Sequence, residues 1–211
     1  ALDLYDYAQK IINKEILINE DGILSKVLKN NNSTNTMESH EFKNFFCLLI
    51  AAGNDTTRYS IAMSLYQLSL NNNLIKDLKS NQYWETCADE FIRLASPTMY
   101  FRRTATCDVN LRDKIIKKGD KVILWFVSGN RDEEVFQDPH NVLLSRSPNP
   151  HVSFGQGGVH FCLGIWLARM EVRILLEEII KKINNIEPLK DPTWTRSNFI
   201  CGVKSLLVKI N

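Results

Sequence analysis

From Glu38 to Leu70 apolar side chains recur at three- and four-residue intervals without a proline. That periodicity predicts one long helix. An element of this length cannot cover its own apolar side, so it requires other layers packed around it. In its middle stands Ala51-Ala52-Gly53-Asn54-Asp55-Thr56-Thr57, which is poor helix chemistry. Threonine hydroxyls compete for backbone carbonyls, and together with Gly53 they favour a local kink. The small residues at 51–53 leave room for a diatomic ligand against the helix, with Asp55 and Thr56 placed to deliver protons to it. The plainer reading is a solvated acid beside a threonine that bends the helix.

Around this helix the pattern predicts shorter helices over 4–18, 22–29, 73–79 and 83–95, the last stopping before Pro97. Asn30 to Asn35 and Asn71 to Asn73 read as loops. The period then changes. Residues 98–111 and 121–127 are rich in Thr, Val, Ile, Phe and Trp, with Lys118-Gly119-Asp120 as a turn between them. The stretch 137–160, holding Pro139, Pro148 and Pro150, reads as a meandering loop. A second strong helix is expected over 163–183, its apolar positions at Leu163, Leu167, Met170, Ile174 and Leu175. The tail 197–210 reads as a β-hairpin around Gly202. The fold class is mainly α with small β-sheets. No β-α-β alternation occurs, which argues against a doubly wound nucleotide fold.

Composition narrows the function. At 44% hydrophobic and 24% charged residues, the 211-residue chain is globular rather than disordered. A net charge of +2 from 26 basic and 24 acidic residues lacks the basic excess of a dedicated nucleic-acid binder. Cysteines at 47, 87, 107, 162 and 201 form no close-paired framework, which favours reduced thiols and a cytoplasmic location. The longest apolar run, Phe45 to Gly53, falls far short of the ~20 residues that span a bilayer. Residues after Ala1 show no signal-peptide pattern and enter a helical pattern at once, as a fragment would.

The most informative segment is Phe154-Gly155-Gln156-Gly157-Gly158-Val159-His160-Phe161-Cys162-Leu163-Gly164. Glycines before the cysteine allow unusual backbone angles and close approach to a flat ligand. Cys162 is expected at the start of the following helix, where exposed N–H groups and the dipole favour a thiolate. A thiolate in such a loop is an electron-rich axial ligand suited to haem iron. On its own the segment is equally compatible with a buried core cysteine. The dinucleotide fingerprint is absent, since no strand precedes Gly155-Gln156-Gly157. Only His160 lies close to Cys162, too few ligands for zinc. A cysteine hydrolase with Cys162 as nucleophile is the remaining alternative. Glu90 and Arg93, three residues apart, read alone as an exposed helical ion pair, and with Arg146 from the meander as a desolvated lock on that loop.

Together these segments resemble the cytochrome P-450 family of haem-thiolate monooxygenases. The resemblance follows their order: Ala52-Gly53-Asn54-Asp55-Thr56-Thr57, then Glu90-x-x-Arg93, then Asn149-Pro150-His151 leading into the cysteine loop. It implies a partial cytochrome P-450 fold, with long oxygen-binding helix, meander, cysteine loop and following helix, in which residues 1–211 are the C-terminal portion of one domain. It implies Cys162 as proximal ligand to the iron of haem b (iron protoporphyrin IX). Asp55 and Thr56 become the acid–alcohol pair of oxygen activation. Glu90, Arg93 and Arg146 become a structural triad. Ala52, Gly53, Arg103, Phe154, Gly157, His160 and Gly164 become cofactor contacts, with Arg103 and His160 at the propionates and Arg102 as the alternative to Arg103.

Phe154 to Cys162 is one residue longer than the commonest family spacing. A bacterial subgroup that oxidises sterols and methyl-branched lipids is similar there, in Phe101-Arg102-Arg103-Thr104 and in Asn130-Arg131-Asp132-Glu133. The expected activity is insertion of one oxygen atom from O2 into a C–H bond of a hydrophobic small molecule. With no flavin or iron–sulfur motif visible, the expected electron donor is a ferredoxin with an NAD(P)H-dependent reductase, docking on Arg169 and Arg173. The rival from another class is a non-catalytic helical remnant that does not retain haem.

Overall fold

The computed structural model describes residues 2–29, 37–80 and 82–211, so the asparagine-rich loop expected at 30–35 lies outside the described residues. The chain divides into two compact units, one ending at Asn54 and the other running from Asp55 to Asn211.

The first unit holds α1 (Leu2–Ile12), α2 (Ile23–Lys29) and the beginning of α3 (Ser39–Leu70). Ala8 and Ile11 of α1 are buried in one cluster with Phe42 and Phe46 of α3. The helix expected over 4–18 stops early. Lys14 adopts φ 62°, a left-handed conformation that ends a helix.

The second unit carries the rest of α3, then α4 (Asn73–Lys79), α5 (Cys87–Ala95), the short α6 (Phe126–Gly129) and α7 (Ile165–Lys182). Its core gathers Leu68 of α3, Ile75 and Leu78 of α4, Phe91 of α5 and Val172 and Leu176 of α7. Residues 53–57 keep helical backbone within α3. Ser60 Oγ donates to the Thr56 carbonyl at 2.9 Å and Ser64 Oγ to the Ser60 carbonyl at 2.8 Å. The Ser60 and Ser64 hydroxyls thus find partners within the helix's own turns, whereas the buried Tyr59 hydroxyl pairs with Cys201.

Four two-stranded antiparallel sheets complete the unit. In the first, β1 (Tyr100–Thr104) pairs with β4 (Lys121–Trp125) in the register Phe101↔Leu124 and Arg103↔Val122. Between them the chain makes an unforeseen hairpin of β2 (Val109–Leu111) and β3 (Lys114–Ile116). Gly119, with φ 92°, makes the expected turn into β4. The tail is not a hairpin around Gly202. There β7 (Val203–Ser205) pairs with β6 (Thr193–Trp194), and β8 (Val208–Ile210) pairs with β5 (Ile186–Pro188). Gly202 marks a close approach instead, for a Cβ there would lie 2.6 Å from Thr195 Oγ1. Segment 137–160 has neither helix nor strand, as a meander should.

The α7 face differs from expectation. Ile165, Val172, Leu176 and Ile180 are buried, whereas Leu163, Leu167, Met170 and Ile174 are exposed. This helix is apolar on two sides, and spacing alone does not say which side meets the core. Among the described residues no helix is long and apolar enough to cross a membrane. In the 211-residue chain, Leu176→Ala is expected to lower unfolding free energy by about 2–5 kcal/mol, and Leu167→Ala by less than about 0.5 kcal/mol, in urea titrations. Equal losses would contradict this assignment of faces.

Candidate active site

On α5, Glu90 and Arg93 face inward and are fully buried, so the reading as an exposed pair does not hold. Arg93 forks onto the carboxylate, Nε to Oε2 and Nη2 to Oε1, both at 2.9 Å. Arg146 Nε donates to Oε2 at 3.0 Å, the Leu143 N–H to Oε1 at 2.8 Å, and Asn149 Nδ2 to Oε2 at 3.1 Å. The guanidinium groups of Arg93 and Arg146 lie 5.1 and 5.6 Å from the Phe136 ring centre. Their remaining donors reach backbone carbonyls: Arg93 that of Asn130 after α6 and those of Pro139 and Asn141 in the meander, Arg146 those of Gln137 and Asp138. Burial pushes the Glu90 carboxyl up, but the hydrogen bonds from Arg93, Leu143 and Arg146 outweigh it and hold the group below the ordinary carboxylate range.

Asn130 carries no role in the sequence motif, yet it is fully buried and joins three segments. Its Nδ2 donates to Ser96 Oγ and Ser153 Oγ at 2.8 Å, and its Oδ1 accepts the Val152 N–H at 2.7 Å. Asn149 was likewise a motif letter with no partner assigned. Amide side chains with several fixed partners carry no periodic signal, so only geometry reveals them.

The loop so held delivers Cys162. Gly155, Gly157 and Gly158 have φ of 75°, 66° and 75°, which side chains resist. The Cys162 N–H donates to the Phe154 carbonyl at 3.1 Å, and a Cβ at Gly164 would lie 3.9 Å from the sulfur. Gly164 is the N-cap of α7, which puts Cys162 two residues ahead of the cap rather than in the first turn. Dipole assistance to the sulfur is correspondingly smaller. All five cysteines are unpaired thiols. Cys87 is buried in the core, where desolvation pushes its thiol up to about 12 and keeps it protonated.

Of the other candidate residues, His160 lies on the cysteine loop, its carbonyl 3.9 Å from where a Cβ at Gly155 would stand. Ala52 and Gly53 are exposed on α3, and a Cβ at Gly53 would meet nothing within 4 Å. Asp55 is exposed and paired with Arg58 at 2.7 Å, while Thr56 is half-buried. Arg102 and Arg103 are exposed on β1, and His160 is exposed on the loop. Among the described residues no hydrogen bond or ion pair joins Asp55, Arg103 or His160 to Cys162. Arg169 and Arg173, expected as a free basic docking face, are engaged: Arg169 with Asp89 at 2.7 Å, Arg173 with Glu177 at 2.8 Å and Glu85 at 2.9 Å.

Among the described residues no three His, Cys, Asp or Glu side chains gather to hold a bare metal ion. The residues present fit a flat group that brings its own metal donors. One sulfur stands in a loop where a Cβ at Gly157 or Gly158 would meet nothing within 4 Å, flanked by exposed Val159, Phe161 and Leu163. Breaking the Glu90 cluster by Arg146→Met is expected to cost about 3–5 kcal/mol, read from chemical unfolding, because it strips a donor from a buried charge. Since the folded Glu90 pKa is depressed, the stability it adds is present above its ordinary value of 4.5 and is lost as pH falls through the folded value. An acid-unfolding curve that Glu90→Gln leaves unchanged would contradict this.

Comparison with known proteins agrees with the geometry. A cytochrome P-450 family profile matches residues 7–204. The chain is 37% identical over 215 residues to a methyl-branched lipid omega-hydroxylase of Mycobacterium tuberculosis, covering 99% of this chain and 49% of that protein. It is 36% identical over 204 residues to a steroid C26-monooxygenase of Mycolicibacterium smegmatis, covering 97% and 48% respectively. Among solved structures, a Mycobacterium marinum cytochrome P-450 in complex with pseudoionone superposes with a TM-score of 0.91 at 35% identity, over 98% of this chain and 50% of that one. A Bacillus megaterium enzyme in complex with testosterone gives 0.88 at 33% identity, over 99% and 59%. The chain thus spans about half the length of the curated relatives it matches. With the buried Glu90–Arg93–Arg146 cluster and the glycine-lined cysteine loop in the same order, this chain belongs to the cytochrome P-450 family.

Proposed function

We propose that the full-length protein inserts one oxygen atom of O2 into a C–H bond of a hydrophobic substrate, a lipid or sterol. The observation that carries this reading is Cys162, presented on a glycine-lined loop that is bonded back to Phe154 and anchored through Glu90. Haem b bound there supplies the oxygen-activating chemistry that amino-acid side chains lack.

The chain's own residues divide the remaining work. Cys162 Sγ would hold the iron, with Phe154 covering its side of the loop. Arg103 and His160 would hold the propionates by hydrogen bonds, with Arg102 the alternative on the neighbouring strand position. Ala52, Gly53, Gly157 and Gly164 admit the flat group by lacking bulk. With the cofactor bound, Thr56 Oγ1 would supply a hydrogen bond and Asp55 would exchange protons with solvent, which its exposure supports. Electrons arrive from a ferredoxin-type protein and its NAD(P)H-dependent reductase. The lipid or sterol assignment draws on the names of the relatives, one acting on methyl-branched lipids and another on steroids.

Reduced full-length protein under carbon monoxide is expected to show the red-shifted thiolate Soret band, and Cys162→Ala to lack it. An unshifted band in the parent, or its persistence in the variant, overturns the ligand assignment. Thr56→Val is expected to leave substrate affinity unchanged and to lower product formation per O2 consumed by roughly 10²-fold. Full coupling in that variant would remove Thr56 from the proton path.

A further inference from the structure

Asp89 adjoins Glu90 on α5 but takes no part in its cluster. Its Oδ1 accepts a hydrogen bond from Arg169 Nε of α7 at 2.7 Å and lies 3.1 Å from His151 Nε2. The other ring nitrogen of His151, Nδ1, accepts the Ser153 N–H at 3.3 Å. With Nδ1 accepting there, Nε2 is the ring nitrogen that donates to Asp89. His151 is almost fully buried, with its side chain 2% exposed. Its ring centre lies 5.5 Å from that of Phe154, and the Arg169 guanidinium lies 5.4 Å from the same ring and 5.2 Å from Trp166. Phe154 in turn accepts the Cys162 N–H through its carbonyl.

We propose that Asp89, His151 and Arg169 are a positioning set for the cysteine loop: His151 and Arg169 both pack on the Phe154 ring, Asp89 ties the two together, and the charge balance of the set acts on the Cys162 sulfur. This rests on the reading of Cys162 as the iron-binding thiolate. None of the three residues touches the reacting atoms; they act through Phe154. Burial pushes the Asp89 carboxyl up, but the hydrogen bonds from His151 and Arg169 overcome this and keep it below the ordinary range, so a negative charge offsets the guanidinium. Arg169 is therefore a counter-charge paired within the set. Partners that orient a ligand from behind commonly tune the metal it holds.

The sign of the effect follows from charge. Reduction of the iron adds one negative charge to the site, so an uncompensated cation nearby favours the reduced form and its removal disfavours it. The test is the midpoint potential of the haem-loaded full-length protein by spectroelectrochemistry. Asp89→Asn, which frees the Arg169 charge, is expected to raise the potential, Arg169→Gln to lower it, and Arg169→Lys to bring it back toward the parent value. A network that only stabilises the fold gives lowered melting temperatures with potentials unchanged or shifted in one common direction, and that result overturns the proposal. The two Arg169 variants lie at the partly exposed end of the network and decide the question even where Asp89→Asn does not fold. The carbon monoxide spectrum of the same samples separates the two readings. An unshifted band in the parent defeats the thiolate assignment, whereas a shifted band with unmoved potentials defeats the positioning set alone.

Discussion

A single buried carboxylate organises the second unit. Glu90 accepts hydrogen bonds from Arg93, Arg146, Leu143 and Asn149, and the two arginines spend their other donors on backbone carbonyls. A charge removed from water is costly unless it is paired and its lone pairs are filled. Here both conditions hold in only one arrangement of the chain, and that restriction places 137–149 without any helix or strand. Arginine suits the task because its planar fork bonds a carboxylate and several carbonyls together, where lysine offers a point charge.

From that anchor the order passes along the chain to the sulfur. Asn130 ties Ser96 and Ser153, the Val152 N–H returns to Asn130, and Cys162 is bonded to the Phe154 carbonyl. Three glycines in left-handed conformations turn the backbone between Phe154 and Cys162. Both flanks of the loop bearing the sulfur are thus held, on one side by buried polar contacts and on the other by α7 packed through Val172 and Leu176. A ligand that must hold one geometry benefits from this kind of support.

The sequence was legible where chemistry is local. Glu90 and Arg93 stand three apart and meet on one helix, and the long helix follows from its period, whereas Arg146 joins the pair from 56 residues away. Properties that depend on distant partners were hidden. The two apolar stripes of α7 look alike in sequence, and only packing against α5 and α4 selects Ile165 through Ile180 for burial. Pairing of the tail with 186–188 and 193–194 is long-range and leaves no mark on local pattern. Arg169 and Arg173 read as a basic face because their acidic partners come partly from α5 and its approach, some eighty residues away. Lys14 ends α1 through backbone conformation at a residue that carries no stop signal.

The central claim is that the Glu90 carboxylate holds the meander and, through it, the cysteine loop. Amide hydrogen exchange in Glu90→Gln, resolved by residue and set against the parent, measures this most directly, since the substitution keeps size and removes charge. The account predicts that the amides of Leu143, Val152 and Cys162 lose protection together while those in the middle of α7 keep it. Protection lost at Leu143 alone, with Val152 and Cys162 unchanged, would contradict it.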